Sequence, residues 1–113
     1  MKFTVPGNPK PKQRPRRGKG GRWYTPSKPE EKRVANHVTF QLPLHFKLLE
    51  ECRVGMKFYR GDKRHVDGDN MEKLVLDALQ GVVWRNDSTI ITGAWEKLYD
   101  KENPRTEIRV EEL

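Results

Sequence analysis

Residues 70–80 place Met71, Leu74, Val75, Ala78 and Leu79 on one stripe at helical spacing. A helix with a single apolar stripe must lay it on another element, and this chain offers strands for the purpose. Residues 52–59 alternate: Val54, Met56 and Phe58 share one face, and Arg53, Lys57 and Tyr59 the other. Residues 2–6 alternate as a short strand ended by Pro6 and Gly7. Residues 89–99 read as a strand with Ile91, Gly93, Trp95, Lys97 and Tyr99 on one face. Residues 106–110 read as another, with Ile108 and Val110 together, and these last two strands are expected to be hairpin-like. A second helix is expected over residues 28–42. There Val34, Val38 and Leu42 recur every four residues, Thr25 or Ser27 can cap, Pro29, Glu30 and Glu31 suit a first turn, and Pro43 stops the helix. The 70–80 helix has Asp69 or Asn70 as its expected N-cap and Gly81 as its C′ residue. Residues 44–51 read equally as a short helix or a loop. The class is α+β, a mixed sheet packed against helices.

A length of 113 residues suits one domain over 1–113 and one small core. With 34% apolar and 35% charged residues that core is thin, which leaves room for a partner surface. The one cysteine, Cys52, excludes an internal disulfide, and no Cys/His cluster has zinc spacing. Cys52 is expected in the core. No signal peptide or membrane span is read, so a cytoplasmic setting is expected.

The charge is uneven. Residues 1–33 hold eleven Lys and Arg against two acids, whereas the remainder holds twelve bases against fourteen acids. A basic arm on a near-neutral body points to a polyanion, most often nucleic acid; the plainer reading is a solubilising tail. Within it, residues 8–22 form a Pro/Gly-rich basic loop with almost nothing to bury. Lys10, Lys12, Arg14, Arg16 and Arg17 are candidates for DNA backbone contacts. Trp23 and Tyr24 at its exit either stack on bases or anchor the loop on the core.

The carboxylates around the 70–80 helix raise the question of chemistry. Asp69, Lys73 and Asp77 are four apart and form one polar row, with Gln80 below. Asp67, two residues before Asp69, can converge with it. Two close carboxylates repel unless one is protonated or both share a cation, and hard oxygen ligands suit Mg2+ or Mn2+. Equally, Asp69 can be only a cap, Asp77 the surface partner of Lys73, and Asp87 a turn residue.

These residues resemble a family signature. Asp67-Gly-Asp69-Asn70, Lys73, Asp77-Ala78-Leu79 and the later Asn86-Asp87-Ser88 are similar to the motifs of the RusA-type Holliday junction resolvases. So are the opening Val5-Pro6-Gly7, the run from Pro11 to Arg16, and Tyr24-Thr25-Pro26. The resemblance spans most of the chain and is weakest at residues 43–51. It implies a bacterial or phage-encoded homodimer that cleaves four-way DNA junctions by paired, symmetric, Mg2+-dependent nicks. Mn2+ is the alternative ion. It implies that Asp67, Asp69 and Asp87 are catalytic metal ligands, Lys73 the catalytic lysine, and Asp77 and Asn70 supporting residues. Asn86 stands where the family has the first of two aspartates, which implies weaker metal binding if that carboxylate lies nearby. Two other readings stay open: a nuclease of the same scaffold acting on flaps or forks, and a basic DNA-binding protein without catalysis.

Overall fold

The computed structural model describes residues 1–113. In chain order the elements are β1 (Lys2–Pro6), β2 (Arg16–Arg17), β3 (Trp23–Tyr24), α1 (Lys28–Gln41), β4 (Cys52–Arg60), α2 (Gly68–Leu79), β5 (Ile90–Tyr99) and β6 (Arg105–Glu112). Single 3-10 turns occupy Lys19–Gly21 and Asp87–Thr89. The sheet order is β1-β6-β4-β5. β4 and β5 are parallel and joined by the crossover helix α2, whereas β6 runs antiparallel to both β4 and β1. This α+β arrangement, a mixed sheet on two helices, is the expected class.

The expected hairpin of the last two strands is corrected. β4 lies between β5 and β6, because the β4–α2–β5 crossover docks β5 on one edge of β4 and leaves the other edge for β6. The connection passes over the end of β4, where the Asp100 amide donates to the Arg60 carbonyl at 2.8 Å. β5 is consequently an edge strand, with a register shift opposite Val54–Met56 that breaks its strict alternation.

The alternation in β4 sorts its side chains as expected. Cys52, Val54, Met56 and Phe58 are buried, together with Phe3 and Val5 of β1 and Ile108 and Val110 of β6. Onto this face α1 lays Val34 and Val38, and α2 lays Met71, Leu74, Val75, Ala78 and Leu79. Each of the Val, Leu and Met side chains contributes roughly 1.5–3 kcal/mol when buried, so the stripe of α2 alone outweighs its modest helix propensity. The 44–51 segment is a turn rather than a helix, and Leu49 bridges to Trp84 beneath it.

Ser27 sits at the N-cap of α1, but its hydroxyl does not cap the helix. It accepts instead from the Gln13 amide at 2.7 Å, tying the basic segment to the start of α1. Gln41 bonds both polar backbone groups of Thr4, at 3.0 and 2.8 Å, and fastens the other end of α1 to the sheet edge. The expected cap of α2 moves upstream. Asp67, in extended conformation, accepts from the Asp69 amide at 3.0 Å, so the helix starts at Gly68 and Asp69 belongs to its first turn. No helix is long and apolar enough to cross a membrane.

Candidate active site

The two aspartates of the Asp-Gly-Asp run stand at the open end of α2. Asp67 uses one oxygen as the cap, and its other oxygen lies 3.5 Å from the Asn70 amide nitrogen. Asp69 accepts from the indole Nε1–H of Trp95, on β5, at 3.0 Å. This holds one oxygen of the exposed carboxylate and leaves the second without a hydrogen bond. Gly68 makes the arrangement possible, since a Cβ there would meet the six-membered ring of Trp95 at 2.3 Å. The preceding loop is shaped by Asp62, which accepts from Arg60 and from the Arg64 amide, both at 3.1 Å. It is pinned to β5 by Lys97 Nζ donating to the Val66 carbonyl at 2.7 Å.

Lys73 is exposed one turn along from Asp69 and makes no ion pair. Asp77, next on the same row, is taken by Lys12 rather than by Lys73. Lys12 Nζ lies 3.1 Å from both Asp77 and Glu31 and so bridges α2 to α1. Burial disfavours the Lys12 ammonium, but its hydrogen bonds to Asp77 and Glu31, with their charges, outweigh that and raise its pKa. The Lys12 main chain also donates to the Asn70 carbonyl at 2.8 Å. Lys12 therefore holds the root of the basic segment beside the aspartates. Lys10, Arg14, Arg16 and Arg17 make no ion pair and face solvent.

Asp87 lies elsewhere. Its Oδ1 accepts from Trp84 Nε1 at 2.6 Å, and its amide donates to Gln80 Oε1 at 3.1 Å, at the C-terminal end of α2. The rise of the helix puts roughly 16 Å between Asp69 and Gln80. Within one chain, then, Asp67 and Asp69 come together at the start of α2 and Asp87 does not join them. No group of three or more His, Cys, Asp or Glu side chains is arranged to hold a metal. Within one chain Asp87 satisfies the indole of Trp84, which is fully buried and needs an acceptor. Its neighbour Asn86 caps the following 3-10 turn by accepting from the Ser88 amide at 3.0 Å. A carboxylate there would make the same bond.

A family model described as endodeoxyribonuclease RusA matches residues 6–111. The chain belongs to the RusA family. A search of curated proteins gives no match. The RusA match takes in the basic segment, both helices and both groups of aspartates, so the scaffold is consistent with nuclease activity on branched DNA.

The fit of a divalent ion to this RusA chain rests on its donors. Asp67 and Asp69 offer hard carboxylate oxygens at a solvent-open position, and Mg2+ is content with one or two carboxylates and its own waters. A third carboxylate, Glu72, lies three residues beyond Asp69. Burial, and then the negative charge of Asp69, push its pKa up. That spacing was readable as a neighbouring pair on the helix. Trp95 was not readable as the orienting donor, since its contact with Asp69 crosses from the edge strand.

Proposed function

We propose that this protein is a Mg2+-dependent endodeoxyribonuclease that resolves four-way DNA junctions, acting as a homodimer with one nick per subunit on opposed strands. The observation that carries the reading is the pair Asp67 and Asp69 at the open start of α2, with unpaired Lys73 one turn on and the basic segment hydrogen-bonded beside them at Asn70. Asp67 and Asp69 would hold the ion, with Mn2+ able to take the same oxygens. When bound, such an ion polarises a phosphate oxygen and acidifies a water.

The chain's own residues supply the rest. Lys10, Arg14, Arg16 and Arg17 neutralise backbone phosphates, which gives salt-dependent affinity with little choice of sequence. Lys73 directs its ammonium to the phosphate whose charge grows during attack, or to the departing 3′ oxygen, leaving 5′-phosphate products. Trp95 keeps the Asp69 carboxylate in one rotamer. Asp87 belongs to this reading through the dimer. Held at the far end of α2, it joins Asp67 and Asp69 only if a second copy presents it.

The test is cleavage of a labelled four-way junction in Mg2+. The wild-type chain is expected to nick opposed strands, and Asp69→Asn to lose at least about a thousandfold in rate, equivalent to about 4 kcal/mol in the barrier. Undiminished cleavage by Asp69→Asn would sink the assignment. A preference for flaps or forks in the same assay would move the substrate and leave the chemistry standing.

A further inference from the structure

The basic segment is not a featureless loop. β2 and β3 pair antiparallel, Arg16 opposite Tyr24 and Arg17 opposite Trp23. The tip is closed by the Gly18 amide donating to the Arg22 carbonyl at 2.7 Å. Gly20 and Gly21 turn it with φ of 83° and 79°, a region that suits glycine. Directly opposed residues share a face of a two-stranded ribbon, so each face carries one arginine and one aromatic ring. Arg17 lies 5.9 Å from the Trp23 ring centroid.

Neither ring is used by the core: Trp23 is 69% exposed and Tyr24 50%. The reading in which they anchor the loop is thereby excluded. The cations have no anionic partner either. Arg14, Arg16, Arg17, Lys19 and Arg22 make no ion pair, and no acidic residue precedes Glu30 in the chain. The base of this finger is nonetheless fixed. Lys12 is bonded to Asn70 and Gln13 to Ser27, next to the Asp67–Asp69 pair. From Gln13 to Lys19 an extended chain reaches about 20 Å, a few nucleotides of DNA.

We propose that residues 14–24 are a base-stacking finger, in which Trp23 stacks on a base face exposed at the branch of the DNA while the five cations hold the phosphates on either side. An exposed ring among cations matches a nucleotide, a flat base joined to an anion. In continuous duplex both faces of each base are covered by its neighbours, so Trp23 finds a free face only where stacking is interrupted, as at a branch. The finger thus selects branched over plain DNA, whereas the cations alone bind both. This rests on the reading of the protein as a branched-DNA nuclease.

The test uses the full chain in EDTA, a four-way junction with 2-aminopurine at the branch, and a duplex of equal length. The wild-type protein is expected to quench the 2-aminopurine emission. Trp23→Ala should abolish the quenching and weaken junction binding about tenfold, with duplex affinity and unfolding midpoint unchanged; Trp23→Phe should restore most of both. Arg16→Ala with Arg17→Ala should weaken junction and duplex alike. Full quenching by Trp23→Ala, or an equal loss on junction and duplex, overturns the proposal. Cleavage of the same junction in Mg2+ separates the two readings. Cleavage with no dependence of quenching on Trp23 removes the finger alone. Trp23-dependent quenching without cleavage removes the nuclease alone.

Discussion

Gly68 stands between two aspartates, and its lack of a side chain decides how one of them is held. The Trp95 ring lies where a Cβ would be and delivers its N–H to Asp69. Gly68→Ala forces that ring aside, an overpacking cost of about 2 kcal/mol, visible as a lower urea midpoint. Trp95→Phe is the complementary probe, because it deletes the donor while keeping an aromatic side chain on β5, although the outer ring that lies against Gly68 is lost with it. The bond is solvent-accessible, so its own loss should cost no more than about 1 kcal/mol, the remainder of any stability change being packing. Affinity for Mn2+, followed by calorimetric titration, should fall about tenfold as the Asp69 carboxylate gains rotameric freedom. An unchanged titration with Trp95→Phe removes the orienting role. The spacing alone marked Asp67 and Asp69 as a pair but offered Asp69 or Asn70 as the cap. Only the extended backbone at Asp67 distinguishes the cap from the first-turn residue.

At the scale of elements, what was legible is what depends on near neighbours. The alternation in β4 and the stripe of α2 each bury one face, and both elements lie within about two residues of their expected ends. Illegible were the features made by distant residues: the insertion of β4 between β5 and β6, the separation of Asp87 from Asp69, and the partner of Lys12. That lysine looked like its neighbours in a basic run. Packing singles it out: its side chain is 19% exposed and that of Glu31 10%, with Asp77 completing the bridge. Removing it strands a nearly buried carboxylate and uncouples α1, α2 and the root of the finger. Lys12→Ala should therefore cost about 2–3 kcal/mol in urea unfolding, toward the low end for breaking a buried pair because Asp77 remains wetted. Lys10→Ala, with no acidic partner, should cost less than about 0.5 kcal/mol. Equal stabilities of the two variants would return Lys12 to the solvated cations.

At the scale of the whole molecule, α2 acts as a spacer that keeps two kinds of acid apart. Asp67 and Asp69 sit at its start, and Asp87 is held at its end by Trp84 and Gln80. Because α2 also packs its apolar stripe on the sheet, no small hinge motion within one chain closes roughly 16 Å. A role for Asp87 at the ion thus requires the proposed dimer to be arranged so that the end of one α2 meets the start of the other. A two-fold axis would make this happen twice, giving two sites for two opposed strands. Complementation between inactive variants tests this arrangement directly. Asp69→Asn and Asp87→Asn should each be inactive alone. Mixed under conditions that allow subunit exchange, half of the dimers are heterodimers. In each of these, one site joins an intact Asp69 from one chain to an intact Asp87 from the other, and the second site carries both substitutions. Activity should then return to about a quarter of the wild-type site count, as single nicks rather than paired ones. If each site were built within one chain, every site in the mixture would carry a substitution and no activity would return. If Asp87 only supports Trp84, the Asp87→Asn variant would cleave alone and show its defect in stability instead, since an asparagine oxygen is a weaker acceptor for the indole N–H.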